Sequence, residues 1–468
     1  MKAACGSPGQ AVFLYTKSKA AKIKQLESCK SWRKGDVCIL VKSLRKINIR
    51  LYIALLFMGF CPTIYTTIRT FFIGQWPGEY AYSIAGQLTW VNLVYEIVNE
   101  AVILPLFFFF GSIVKNKREF SNRIRTGLIG ISAVYTVMAV MILFLAKPLL
   151  VLMAASPKII DASATYIRIE SFANIFVIQT SFVCVALIAA GKEKLVYFIT
   201  AAKLLLCIVT DMFLISPFSF SAKLGINGIG ISNIIVNIGI LLLSIYLLSR
   251  YGYVDLKNRR MDFSWIKSFA HIGGISGLES FVRNFAYIVM VSRMVNVVGE
   301  QGTYWVANNF IWGWLLLPIL QLGELIKQET AANENAVKEN TEGYFTITGI
   351  VCLLWIVLLP LYKPFMKHIL NYADTGKLFH IVAILLGFYV LFAFQNVFDS
   401  TFYGRGKTEY MLFESVVTNT VYYGIFFILY MTGIWIPSMT GIILMFGFGT
   451  AFDSIVSGIA YLYYRKKV

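Results

Sequence analysis

The chain has 468 residues, of which 58% are hydrophobic and only 14% charged, where soluble domains carry roughly 25% charged residues. With a mean hydropathy of +0.69, it reads as an all-α integral membrane protein; its solid apolar runs lack the polar–apolar alternation of a closed barrel. The formal net charge of +18 raises nucleic acid as a partner, but the basic residues gather between the apolar runs, where topology accounts for them.

Residues 1–50 are polar and basic and lack the apolar core and small-residue cleavage site of a signal peptide. They are expected to form a cytosolic tail. Apolar runs then follow at 51–74, 83–113, 127–153, 163–189, 195–217, 225–249, 268–295, 303–325, 343–362, 377–402, 410–432 and 438–463. Each is long enough for a transmembrane helix of ~20 residues, which predicts twelve helices. They divide into a first six-helix lobe over 51–250 and a second over 268–463, joined by a linker at 251–267 and closed by a basic end at 464–468.

Lysine and arginine orient the chain. One side collects the 12 of the tail, 5 in 114–126, 2 in 190–194, 5 in 250–267, 2 in 326–342, 2 in 403–409 and the last 3, Arg465, Lys466 and Lys467. The opposite side has Lys147, Lys158, Lys223, Lys363, Lys367 and Lys377. Both termini are therefore expected in the cytoplasm, with the protein in the cell membrane.

The two halves repeat at an offset near 215 residues. Trp90, Pro105 and Gly111 answer to Trp305, Pro318 and Gly323, and the turn Gly191-Lys-Glu-Lys194 answers to Gly406-Lys-Thr-Glu409. Gly225, Gly228 and Gly230 have counterparts in Gly441, Gly447 and Gly449. Six helices per copy give both copies one orientation, so the pseudo-twofold axis stands along the membrane normal. Parallel repeats of this kind suit a transporter that rocks two lobes about a midplane cavity.

Charged residues inside the runs mark the candidate chemistry, since each is costly in a bilayer. A rise of 1.5 Å per residue puts Arg69 about 27 Å along the first helix and Asp211 about 24 Å along the fifth, at matching depth. An ion pair between them is expected, the alternative being Arg69 snorkelling to the headgroups. Asn92, Glu96 and Glu100 recur every fourth residue on one face of the second helix, which predicts a cavity wall. Two carboxylates one turn apart repel, so one is a candidate proton carrier unless Lys203 or Arg283 neutralises them. Glu279 and Arg283 have the spacing and order of a helical ion pair, and Asp399 and Asp453 are weaker leads. Seven scattered cysteines without a CxxC, and three distant histidines, give neither a disulfide framework nor a metal centre.

The chain resembles the multidrug and toxic compound extrusion (MATE) family, within the superfamily that also holds polysaccharide flippases. The resemblance is carried by Arg69-Thr-Phe-Phe-Ile-Gly74, by Ala189-Ala190-Gly191-Lys192 running on to Cys207-Ile-Val-Thr-Asp211, by Gly225-Ile-Asn-Gly228-Ile-Gly-Ile-Ser232-Asn233, and by Gly274-Ile275. It covers roughly residues 50–464. It implies a secondary active exporter of small organic molecules, monomeric, without cofactor, coupled to H⁺ or Na⁺.

The departures bear on that coupling. Where the family has an aspartate five residues before the glycine, this chain has Arg69, and the Asn of the family's Asn-x-x-x-Asp is Cys207, with Asp211 retained. Asn233 stands at a threonine position, Arg283 at a glutamate position and Ser276 at a proline position. The expectation is that the Arg69 guanidinium takes the place of the transported cation, so that Na⁺ coupling there is lost and an anionic or zwitterionic substrate is favoured. A flippase for a lipid-linked saccharide is the alternative. An intramembrane transferase lacks its nucleophile–base pair.

Overall fold

The computed structural model describes Leu44, residues 47–76, 80–111, 113, 116–253, 261–333 and 335–467. The expected tail therefore lies almost wholly outside the described residues, as do residues 254–260 of the linker. Every regular element described is helical: α1 (Ile49–Gly74), α2 (Ala81–Gly86), α3 (Leu88–Gly111), α4 (Lys117–Leu152), α5 (Ile160–Ala189), α6 (Glu193–Leu214), α7 (Gly225–Arg250), α8 (Ser264–Ala286), α9 (Arg293–Val297) and α10 (Gln301–Phe310). The chain continues through α11 (Leu317–Ala332), α12 (Ala336–Glu339), α13 (Thr341–Val357), α14 (Leu359–His368), α15 (Thr375–Gly404), α16 (Thr408–Val417), α17 (Gly424–Met431) and α18 (Met439–Lys467). Three π-helical stretches, at Tyr287–Ser292, Ile311–Leu315 and Thr418–Tyr423, interrupt the second half.

Among the described residues, eight helices are long and apolar enough to cross a membrane, and two bent pairs bring the number to ten. The pairs are Gln301–Leu315 with Leu317–Ala331, bent by 50°, and Thr341–Val357 with Leu359–His368, bent by 66°. Pro318 and Pro360 stand at the first turn past each bend, where a missing N–H costs least. The second and seventh apolar runs are also helical, as α3 and as α8 with its π-helical continuation. The third begins ten residues earlier than its apolar run because Asn116 caps α4, its side chain accepting from the Glu119 amide. On α4 the large residues Val137, Met141, Phe144 and Val151 are exposed. An apolar exterior of that kind is what a bilayer requires, and the protein is a multi-pass membrane protein.

Two main apolar cores form. One is built from α3 to α7 with Trp265, around Leu106, Phe110, Phe120 and Phe182. The other is built from α10, α11 and α13 to α15, around Leu322, Tyr344 and Met366. The first helix divides itself between them: Tyr52, near its start, belongs to the second core and donates to the Pro318 carbonyl (3.0 Å), while Phe72 and Ile73, at its end, pack with Tyr166, Ile215 and Ile229 of the first half.

The two glycine turns paired in the sequence share their backbone geometry. Gly191 and Gly406 both have left-handed φ, +70° and +65°. In each turn the glycine amide donates three residues back (to Ile188 and to Tyr403) and the next lysine's amide five back (to Leu187 and to Phe402), closing α5 and α15 with the same cap.

The halves meet mainly where α3 lies along α8. A Cβ on Gly273 would stand 2.2 Å from the Ala101 carbonyl oxygen, so only glycine lets the two backbones approach so closely. Toward the end of the molecule that carries α2, Asn296 exchanges two side-chain bonds with Gln87 (2.6 and 3.1 Å) and donates to the Met153 carbonyl (2.9 Å), while Arg293 donates to the Leu152 carbonyl (2.9 Å). These polar bonds, those of Asn296 buried and that of Arg293 exposed, join the two halves on that side.

Candidate ion and substrate site

Four helices of the first half converge on Arg69. Its Nε donates to Asp211 Oδ2 (2.9 Å) and its Nη2 to Asp211 Oδ1 (3.0 Å), a two-pronged pairing of α1 with α6. Asp211 is 1% exposed. Its remaining capacity is taken by Ser232, donating to Oδ1 (2.5 Å), and Tyr65, donating to Oδ2 (3.1 Å). Four donors fill the lone pairs of the carboxylate. The guanidinium also lies over the Tyr65 ring, 4.7 Å from its centre, where the face of an aromatic ring attracts a cation. Arg69 thus points inward, and snorkelling does not occur.

Asn233 of α7 extends the network. Its Oδ1 accepts from Arg69 Nη2 (3.1 Å), and its Nδ2 donates to both oxygens of Glu170 (2.8 and 3.0 Å). The sequence reading did not include Glu170. It is 5% exposed on α5, but it sits in Tyr-Ile-Arg-Ile-Glu, where the neighbouring Arg168 makes the stretch look interfacial. Its position one face-turn after Tyr166, inside a run that is otherwise apolar, was the available signal.

Cys207 lies one turn before Asp211, buried beside Tyr65. Lys203 lies one turn earlier still, so Lys203, Cys207 and Asp211 share a face of α6. Lys203 makes no ion pair among the described residues, and its near neighbours are the thiols of Cys184 and Cys207. A pairing of Lys203 with the carboxylates of α3 is therefore absent.

On α3, Asn92 and Glu96 are exposed and Glu100 is half-buried, while Val91, Tyr95, Val102 and Leu106 of the other face are buried. Glu100 is neutralised across the junction of the halves: Arg283 Nη2 donates to its two oxygens at 2.7 and 2.6 Å. Arg283 also reaches the Tyr403 hydroxyl (3.5 Å). Glu96 stands close to both Glu100 and Arg283. Arg283 thus offsets the charge of Glu100, and the second carboxylate of α3, Glu96, has no bonded cation among the described residues. The side chain of Glu279 lies outside the described residues.

No protein-family model matches the chain, and no curated protein matches it significantly. Its structure does match solved membrane transporters. An inward-facing multidrug resistance MATE family transporter of the MOP superfamily aligns with a TM-score of 0.71, covering 89% of this chain and 97% of its own, at 17% identity. A MOP superfamily transporter from Pyrococcus furiosus, described as having a binding pocket of reverse polarity that suggests a different function, aligns with a TM-score of 0.65 over 94% of this chain and 98% of its own, at 18% identity. An outward-facing MATE family transporter aligns with a TM-score of 0.63 over 91% and 97%, at 17% identity. The chain has the MATE fold of the MOP superfamily; at these identities the likeness is one of fold.

Proposed function

We propose that the protein is a secondary active transporter of organic solutes, working by alternating access between its two halves, with both termini in the cytoplasm of a cell-membrane protein. The observation that carries the reading is the two-pronged Arg69–Asp211 pair, buried inside a MATE fold. A guanidinium does not lose its proton in a protein, so the charge that fills this site is fixed and cannot be exchanged for Na⁺. With Asp211 saturated by four donors, the site works as a structural cation that fixes the polarity of the first half.

Lys203, half-buried on the same face of α6 without a carboxylate partner, adds a second positive charge near Arg69. The substrate class that fits is an organic anion or zwitterion, whose acidic group meets Lys203. The structural neighbour with a pocket of reverse polarity supports the same direction. A second reading, a lipid flippase, draws on an apolar cavity of about 270 Å³ between α3, α4 and α8, lined by Val98, Ala101, Val134, Trp265 and Phe269.

Uptake of labelled organic anions, cations and a lipid-linked saccharide into liposomes carrying the purified protein tests the proposal. Anion uptake driven by a pH gradient, insensitive to sodium and lost in Lys203→Gln, is the expected result. Sodium-driven transport that disappears in Asp211→Asn overturns the reading of the Arg69 site, and movement of the lipid-linked saccharide alone selects the flippase.

A further inference from the structure

The second half buries charge in the opposite way. Gln395 of α15 holds two carboxylates on one amide nitrogen: Nε2 donates to Glu414 Oε1 (2.6 Å) and to Asp453 Oδ2 (2.8 Å). Ser454 donates to the amide oxygen (2.8 Å), which fixes the amide's orientation. Thr418 donates to Asp453 Oδ1 (2.6 Å), and Ser457 to Asp399 Oδ1 (2.6 Å). Three acids from α15, α16 and α18 therefore share one hydrogen-bonded cluster. Asp399 lies one turn beyond Gln395, and Ser457 one turn beyond Asp453.

Every donor in this cluster is neutral, and none of the three acids forms an ion pair among the described residues. Lys327 of α11 is the cation nearest Asp399, and it is bound to Glu324 (2.7 Å). From α8, which packs on α16, Arg283 is engaged by Glu100. Besides Thr418, the Tyr423 hydroxyl also lies near Asp453. Glu414 is 2% exposed, and its Oε2 is buried with no hydrogen-bond partner. An acceptor left unmade in a buried site is costly, and so are three like charges without a cation.

The carboxyls need a positive charge that the described residues do not supply. A metal ion would require ligands converging on one centre, and among the described residues no group of three or more His, Cys, Asp or Glu is arranged to hold one. A proton on Glu414 Oε2 meets the need with the geometry present: it converts the unpartnered acceptor into a hydroxyl, and it removes one of the three charges.

We propose that Asp399, Glu414 and Asp453 form a proton-binding site in the second half of the molecule, with Glu414 Oε2 as the atom that takes up and returns the exchangeable proton. The site supplies the coupling that the fixed charge of Arg69 denies to the first half, and as a coupling site it rests on the transporter reading. As a proton-binding site it stands alone.

Infrared difference spectroscopy of the purified full-length protein, titrated with acid and base in sodium-free buffer, reads the proton directly. The expected result is one protonated-carboxyl band that comes and goes with pH, is lost in Glu414→Gln and is kept in the exposed control Glu342→Gln. No band in the wild type, a band unchanged in Glu414→Gln, or a band abolished by sodium at fixed pH overturns the proposal. Should Glu414→Gln fail to fold, Glu414→Asp and Asp453→Asn decide, since each must shift the titration by roughly tenfold in proton affinity or more and an unmoved titration overturns the site. A band that behaves as expected, without any transport driven by a pH gradient, leaves the site intact and removes the transporter reading. Transport driven by pH with the band intact in Glu414→Gln does the reverse.

Discussion

The two buried charge clusters solve one electrostatic problem by opposite means. In the first half, Asp211 and Glu170 are served by a guanidinium and an amide that belong to the protein, and each acceptor of Asp211 has a donor. In the second half, three carboxylates gather around an amide and three hydroxyls, and one oxygen of Glu414 has no donor among the described residues. A side-chain cation makes a site permanent, whereas a site short of one positive charge is suited to take up and release a mobile one. On the proposal above, this asymmetry gives anchoring to the first half and exchange to the second.

Removing the cation from the anchored cluster is the most severe way to break the comparison. Arg69→Met leaves Asp211 buried with no opposite charge, and losing one partner of a buried pair costs about 3–5 kcal/mol. Thermal unfolding in detergent is expected to show a large drop, and the double variant Arg69→Met with Asp211→Leu to recover most of it. Glu414→Gln, tested in the same assay, is expected to be near neutral, because glutamine is the neutral isostere of a protonated glutamate. Equal losses from Arg69→Met and Glu414→Gln would mean that the two clusters are alike, both held together by fixed charge.

The bridge between Glu170 and Arg69 comes next in size. Asn233→Leu withdraws the amide that donates to both Glu170 oxygens and accepts from Arg69. Leaving a buried acceptor unsatisfied costs about 1–3 kcal/mol, and a second substitution, Glu170→Leu, is expected to return part of that loss in the same unfolding measurement. If Asn233→Leu costs nothing, Glu170 is served by other donors and does not belong to the Arg69 network.

How much of this was legible beforehand depends on what each residue's signal was. Arg69 and Asp211 stood out because each is a charge deep in a long apolar run, and helix rise alone put them at one depth. Glu170 and Glu414 did not, for a shared reason: each lies within a turn or two of other charges near the start of its run, Arg168 for one and Glu409 for the other, so depth could not be separated from interface. The apolar runs located the helices, but the bends at Leu316 and Leu358 and the three π-helical stretches have no periodic signal, since an apolar run reads alike whether its backbone is straight or broken. The junction of α3 with α8 was hidden too. Gly273 is one glycine among 35, and only the 2.2 Å approach to Ala101 shows why a side chain cannot stand there.

The smallest effect belongs to the pair that joins the halves. Glu100 and Arg283 are bonded at 2.6 Å, yet their side chains keep 22% and 29% of their exposure, well above the 2% of Asp211. Water or a solute that reaches them screens the attraction, and exposed pairs contribute about 0.2–1 kcal/mol. A double-mutant cycle with Glu100→Gln and Arg283→Gln is expected to give a coupling in that range, weakening as salt is added. The cycle also sharpens the contrast between anchored and exchangeable charge, because this pair bridges α3 and α8 rather than lying within one half. A weak, salt-sensitive bond at that junction can open as the halves move. A coupling above about 2 kcal/mol, beyond what exposed pairs supply, would instead class it with the Arg69 cluster as a fixed fastening, and the motion between the halves would then have to leave the α3–α8 contact closed.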